Sequence, residues 1–159
     1  MDKIKYIAVF ALLVVSCSFL GNNQTPVSQL LKLLNLPEEM NKEITNCKGE
    51  FSEVTPTFMS WGYFTYQTND KFINDLITKK TFLSNSELNA GFKKVPVGFP
   101  FKENDLSFYT DYLKDKSIVK KIELENKVAL EGVYYPYKQQ ILYDTITKEA
   151  IHLISGLRE

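Results

Sequence analysis

The chain has 159 residues, 44% of them hydrophobic and 24% charged, with 19 Lys+Arg against 19 Asp+Glu, one histidine, two cysteines and seven glycines. That composition fits one globular domain and excludes a disordered chain, a collagen-like repeat and a multidomain enzyme. The 19 basic residues are 18 lysines and Arg158, so no arginine surface is available to grip phosphate or guanine, and nucleic acid is not an expected partner.

Met1-Asp2-Lys3-Ile4-Lys5 is a short basic start, and Tyr6 to Val15 is an unbroken run of ten apolar or aromatic residues. That length suits the core of an export signal and falls short of the roughly 20 residues that cross a bilayer. The run ends in Leu13-Val14-Val15-Ser16-Cys17: aliphatic residues, a small residue, then cysteine. This stretch resembles the lipobox of bacterial lipoprotein precursors. The resemblance implies that residues 1–16 are a signal peptide cut just before Cys17. It also implies that the Cys17 thiol carries a diacylglyceryl group and that the new amino group is acylated. Two or three acyl chains hold a domain on a membrane almost permanently, where one chain does not. The resemblance covers only these first 17 residues.

Two other readings of the same residues stay open. Residues 4–20 form a mostly apolar segment that suits an uncleaved anchor, and an ordinary cleaved signal is the third reading, although no A-x-A site is present. All three expect the domain outside the cytoplasm. Removing residues 1–16 leaves 17 Lys+Arg (19 minus Lys3 and Lys5) and 18 Asp+Glu (19 minus Asp2), a net charge of −1. Cys47 is then the one cysteine not committed to lipid, so no intramolecular disulfide is expected.

Residues 17–25 read as the lipidated cysteine and a short polar tether, and 26–159 as one α+β domain. Thr25-Pro26 is a helix cap followed by proline at the first helical position, and Val27, Leu30, Leu31 and Leu34 repeat at helical spacing. Pro37-Glu38-Glu39 predicts a second helix with Met40, Ile44 and Cys47 as its apolar stripe and Gly49 as its end; Cys47 reads as a small buried hydrophobe. Thr57 to Gln67 predicts a strand with Phe58, Phe64 and Tyr66 on one face and Met59, Trp61 and Tyr63 on the other. Such a strand is covered on both sides, or keeps one face open for a partner. Asn69 or Asp70 caps a helix through Lys80 with Phe72, Ile73, Leu76 and Ile77 facing inward. Residues 84–104 read as a long irregular connection pinned by Phe92, Phe99 and Phe101. Asn104 is expected to cap a helix through Leu113, with a strand as the alternative there.

The last forty residues predict a four-stranded antiparallel meander. Ile118, Ile122 and Leu124 alternate with charged residues, Asn126-Lys127 turns, and Val128, Leu130 and Tyr134 alternate again. Pro136 interrupts, Ile141 to Thr147 forms the next strand, and Ala150 to Ser155 the last. The fold expectation is therefore α+β: an antiparallel sheet with that meander, packed by N-terminal and central helices.

No zinc spacing exists around the single His152, which is expected as an exposed or hydrogen-bonded sheet residue. There is no G-x-S-x-G elbow, dinucleotide-binding glycine motif or phosphate-binding loop. No metal, cofactor or catalytic residue is therefore assigned. Glu123, Glu125, Glu131 and Asp144 could supply a carboxylate pair for glycan hydrolysis, although strand alternation puts charges on the solvent face anyway. Trp61-Gly62-Tyr63-Phe64-Thr65-Tyr66 and Val133-Tyr134-Tyr135-Pro136-Tyr137 hold seven aromatics. Tyrosine and tryptophan combine a flat apolar body with a polar tip, which suits protein interfaces and sugar stacking. Trp61, Tyr63, Tyr135 and Tyr137 are the members expected at a ligand or partner surface. The functional expectation is a membrane-anchored, non-enzymatic envelope lipoprotein that binds an envelope protein or polymer. Its alternatives are a small glycan hydrolase and an inhibitor or immunity-type lipoprotein.

Overall fold

A computed structural model describes residues 24–53, 60–79, 87–98, 101, 107–111, 113–120 and 123–157. Helix α1 (Pro26–Leu33) starts where Thr25 accepts a hydrogen bond from the Ser28 amide at 3.3 Å. It stops at Asn35, whose φ of 51° is the left-handed stop that asparagine tolerates. Leu30, Leu31 and Leu33 are its buried stripe.

The second predicted helix is only a 3₁₀ turn, Glu38–Glu43, and the chain then becomes strand β1 (Thr45–Ser52). The apparent stripe ending at Cys47 is coincidental spacing, and Gly49 lies inside the strand. Its φ is +146°, and a Cβ there would sit 2.3 Å from the Tyr63 carbonyl oxygen, so this close approach of β1 to its neighbour requires glycine.

Strand β2 (Trp61–Gln67) matches its predicted C-terminal part, while Phe58 and Met59 lie outside the described residues. Helix α2 (Asp70–Thr78) follows, capped by Asn69, whose side-chain oxygen accepts from the Phe72 amide at 2.9 Å. Phe72, Ile73 and Leu76 are buried as expected, and Ile77 packs at the margin. Residues 84–104 are not wholly irregular: Ala90–Val95 form strand β3. Phe92 and Phe101 are buried pins, while Phe99 lies outside the described residues. A one-turn helix α3 (Ser107–Thr110) lies within the expected helix, whose cap Asn104 is outside the described residues, and a 3₁₀ turn (Lys116–Ile118) stands at the start of the expected first meander strand. Ile118 is buried whereas Leu124 is 39% exposed, so these two residues do not share a buried strand face, and Ile122 lies outside the described residues.

Strands β4 (Lys127–Tyr134), β5 (Tyr137–Asp144) and β6 (Glu149–Gly156) complete one six-stranded antiparallel sheet in the order β1-β2-β6-β5-β4-β3. The protein is thus α+β and mostly sheet. The last strand, β6, lies between β2 and β5 and pairs with β2 from Trp61↔Ser155 to Gln67↔Glu149.

Strand periodicity divides the interior into two layers. Phe64, Tyr66, Leu130, Ile141, Tyr143, Ala150 and Ile154 face the layer filled by α1, α2 and Phe92. Trp61, Tyr63, Ala129, Leu142, Ile151 and Leu153 face the opposite layer, filled by Phe101, Tyr109, Leu113 and Ile118. Among the described residues the two longer helices, α1 and α2, cover one face, and one-turn helices with irregular segments close the other. Hydrogen bonds pin those segments: the Lys120 amide donates to Tyr63 Oη at 3.2 Å, and the Lys114 amide donates to Glu50 Oε1 at 2.7 Å. On the helical side, Tyr143 Oη donates to Asp70 Oδ1 at 2.7 Å and Lys148 bridges to the same carboxylate, tying α2 to the β5–β6 turn.

Candidate functional site

Cys17 lies outside the described residues. Among the described residues no helix is long and apolar enough to cross a membrane. The four aromatic residues expected at a surface separate into two pairs. Trp61 is 7% exposed and Tyr63 fully buried, both in the layer closed by the irregular segments, so the open strand face expected there is core. Tyr135 and Tyr137 are half-buried at the β4–β5 turn, where Tyr134 pairs with Tyr137 and Tyr135-Pro136 is a cis peptide.

Tyr137 opens onto a cleft of about 450 Å³ lined by residues that include Gln24, Gln29, Lys32, Phe51, Glu53 and Tyr134. A second cleft of about 390 Å³ shares Gln24, Lys32 and Tyr134 with it and continues past Ser28, Asn35 and Glu38. The two clefts adjoin at these three residues beside the outer side of α1 and together make the α1 groove. Its central ring is held in place: Tyr137 Oη donates to Glu53 Oε1 at 2.7 Å, and the Phe51 and Tyr137 rings meet edge-on at 82° with centroids 5.1 Å apart. Burial and the Glu53 carboxylate push the Tyr137 hydroxyl pKa up, so it stays a donor at any physiological pH. Gln29 Nε2 donates to the Phe51 carbonyl at 3.4 Å, which ties α1 to the end of β1. Tyr135 lies outside the cleft lining, and its amide donates to Asn89 Oδ1 at 2.8 Å.

The groove residues from α1 and β1 were hidden in the sequence. Gln29 and Lys32 are ordinary outward positions of an amphipathic helix, and Phe51 and Glu53 follow a segment misread as helical. The one available signal was Pro136 between tyrosines, which marks a tight turn presenting aromatic rings.

The carboxylates do not gather into an acid–base pair in a cleft. Asp144 is paired with Lys127 and accepts from the Ile146 and Thr147 amides at 2.8 and 2.9 Å, and these contacts, led by Lys127, hold its pKa far below the usual carboxylate value. Glu131 pairs with Lys138 at 2.8 Å, and Glu123 and Glu125 are exposed. No group of three or more His, Cys, Asp or Glu among the described residues could hold a metal ion.

His152 is fully buried on the helical face and hydrogen-bonded, one of the two states expected of it. Its Nε2 meets Gln139 Oε1 at 2.9 Å, and Gln139 donates in turn to the Leu33 carbonyl at 2.6 Å. That orientation of the amide makes Nε2 the protonated nitrogen and leaves Nδ1 as a buried acceptor without a partner among the described residues. Burial lowers the imidazole pKa to about 3, so the ring is neutral. Cys47, half-buried beside the same layer, has its thiol pKa pushed up to about 12 by burial.

No protein-family model, curated protein or solved structure shows significant similarity to this chain.

Proposed function

We propose that the protein is a lipid-anchored lipoprotein of the cell envelope and a binding module without catalytic activity, whose α1 groove takes an envelope polymer. The single observation that carries the reading is the lipobox-like run Leu13-Val14-Val15-Ser16-Cys17 directly after a basic start and an apolar core. The groove adds weight because Gln24, one of its lining residues, lies seven residues after Cys17. Seven residues span at most about 24 Å, so acylation at Cys17 keeps the groove within that reach of the membrane surface. Strands β4 to β6, packed by α1 and α2, serve in this reading as the rigid platform for the Tyr134-Tyr137 turn.

The carboxylates favour binding over hydrolysis. Asp144 is committed to Lys127 and to a turn, and a general acid needs a raised pKa. Fractionation of cells expressing the wild-type chain and Cys17→Ser tests the anchor. The wild type is expected with membranes and with acyl mass on its N-terminus; a variant that stays with membranes, together with a wild-type N-terminus that carries no acyl mass, overturns the lipid anchor.

A further inference from the structure

The groove's shape and chemistry narrow the polymer, in an inference that rests on the envelope-binding reading above. Two adjoining clefts of about 450 and 390 Å³ that share three residues make a track, which suits a chain-like ligand better than a compact one. One wall of the track is α1, whose backbone is already hydrogen-bonded within the helix, so an extended peptide finds no free ladder on that wall. Among the described residues its charged side chains are Lys32, Glu38 and Glu53, one positive and two negative, which disfavours a polyanion. What remains is a mixture of aromatic rings with donors and acceptors: Tyr134 and Tyr137 beside an ammonium, a carboxylate and the Gln24 and Gln29 amides.

We infer that the α1 groove binds a short stretch of neutral oligosaccharide. A pyranose ring presents an apolar C–H face that stacks on an aromatic ring and a rim of hydroxyls that both donate and accept. Tyr137 supplies the ring, already fixed by Glu53 and Phe51 before any ligand arrives, so little ordering cost falls on binding. The Glu53 carboxylate accepts from hydroxyls, the Lys32 ammonium donates to them, and the glutamine amides do both. Tyr134 sits where the two clefts meet and bridges adjacent sugar units.

The test titrates the full chain carrying Cys17→Ser with triacetylchitotriose and with cellotriose, followed by NMR. Both are neutral trisaccharides, and the variant separates sugar binding from lipid attachment. Saturable shifts with a Kd on the order of 1 mM are expected for at least one probe, centred on Gln24, Gln29, Lys32, Tyr134 and Tyr137. Adding Glu53→Gln or Lys32→Met is expected to weaken binding by about fivefold while leaving the thermal unfolding midpoint unchanged. No shift for either sugar up to about 10 mM, or shifts that survive both substitutions or map elsewhere, overturns the proposal. Sugar binding by a chain whose membrane association is independent of Cys17 would remove the anchor and keep the groove. Release of Cys17→Ser from membranes without sugar binding would do the reverse.

Discussion

On one face of the sheet, two capped helices and a 3₁₀ turn lay continuous apolar stripes over Phe64, Leu130 and Ile141. On the other, Phe101, Tyr109, Leu113 and Ile118, from segments whose described residues form one-turn helices and irregular chain, cover Tyr63, Leu142 and Leu153. Both faces exclude water, since Leu130 on the first and Leu153 on the second are each 0% exposed. Equal burial therefore arises by two routes: a helix carries its whole stripe as a unit, whereas the irregular side is assembled from separate side chains fixed by a few backbone hydrogen bonds. The proposed groove follows the same division, because it uses the outward side of α1, a rigid wall, beside the β4–β5 turn.

Paired truncations probe this contrast most strongly. Leu130→Ala is expected to cost about 4 kcal/mol and Leu153→Ala about 3 kcal/mol, because the cost grows with the cavity that survives and irregular segments settle into a void more readily than helices. Denaturant unfolding with unchanged m-values measures both; a larger loss at Leu153 would reverse the assignment of the rigid side.

Acid acts next, on the helical face. The His152 pKa falls from about 6.5 unfolded to about 3 folded, so the unfolded chain takes up a proton that the native state refuses. Stability is full above pH 6.5 and falls as pH drops toward 3, by about 1.4 kcal/mol per unit once well below 6.5. Asp144, with its lowered pKa, loses its contribution only below its unfolded value near 3.8, so the interval between pH 6 and 4.5 isolates the histidine. His152→Gln keeps a donor to Gln139 without titrating. Its stability is expected to be flat over that interval in urea melts, and a slope equal to the wild type's would refute the role given to His152.

Capping gives a smaller difference. Asn69→Ala removes the side-chain acceptor at the start of α2 and is expected to cost about 1 kcal/mol. Asp115→Ala removes the equivalent contact to the Ser117 amide on the irregular side and is expected to cost less, because only a three-residue turn depends on it. Thermal melts of the two variants side by side check the order. Smallest of all, Cys47 is expected to react with iodoacetamide at pH 8 only as fast as the helical face opens, since a pKa of about 12 leaves about one thiol in ten thousand ionised. Labelling as fast as a free thiol would show that this face is loose.

The helical face was largely legible in the sequence, and the irregular one was not. Thr25-Pro26 and Asn69 announce α1 and α2 because caps and 3.6-residue spacing act locally. Strand β3 was missed because only Phe92 of Ala90–Val95 is buried, so an edge strand shows almost no alternation. Ile118 and Leu124 misled in the opposite direction, in phase in the sequence while only Ile118 is buried and Leu124 faces solvent. The aromatic alternation of β2 pointed to two covered faces or one open one, and nothing local distinguishes Tyr63 under Leu113 and Ile118 from Tyr63 under a partner. At the candidate site, Tyr135-Pro136-Tyr137 was readable as a turn bearing aromatics. The juxtaposition of that turn with Gln29, Lys32 and Glu53 depends on pairings across the whole chain, which no local pattern encodes.

The most direct test of the functional account is the intact mass of the wild-type protein recovered from membranes, with fragmentation of its N-terminal peptide. The account predicts a mature chain that begins at Cys17 and carries diacylglyceryl on that sulfur, with a further acyl group on its amine. A chain that retains residues 1–16, or that begins elsewhere with Cys17 absent or unmodified, would contradict it.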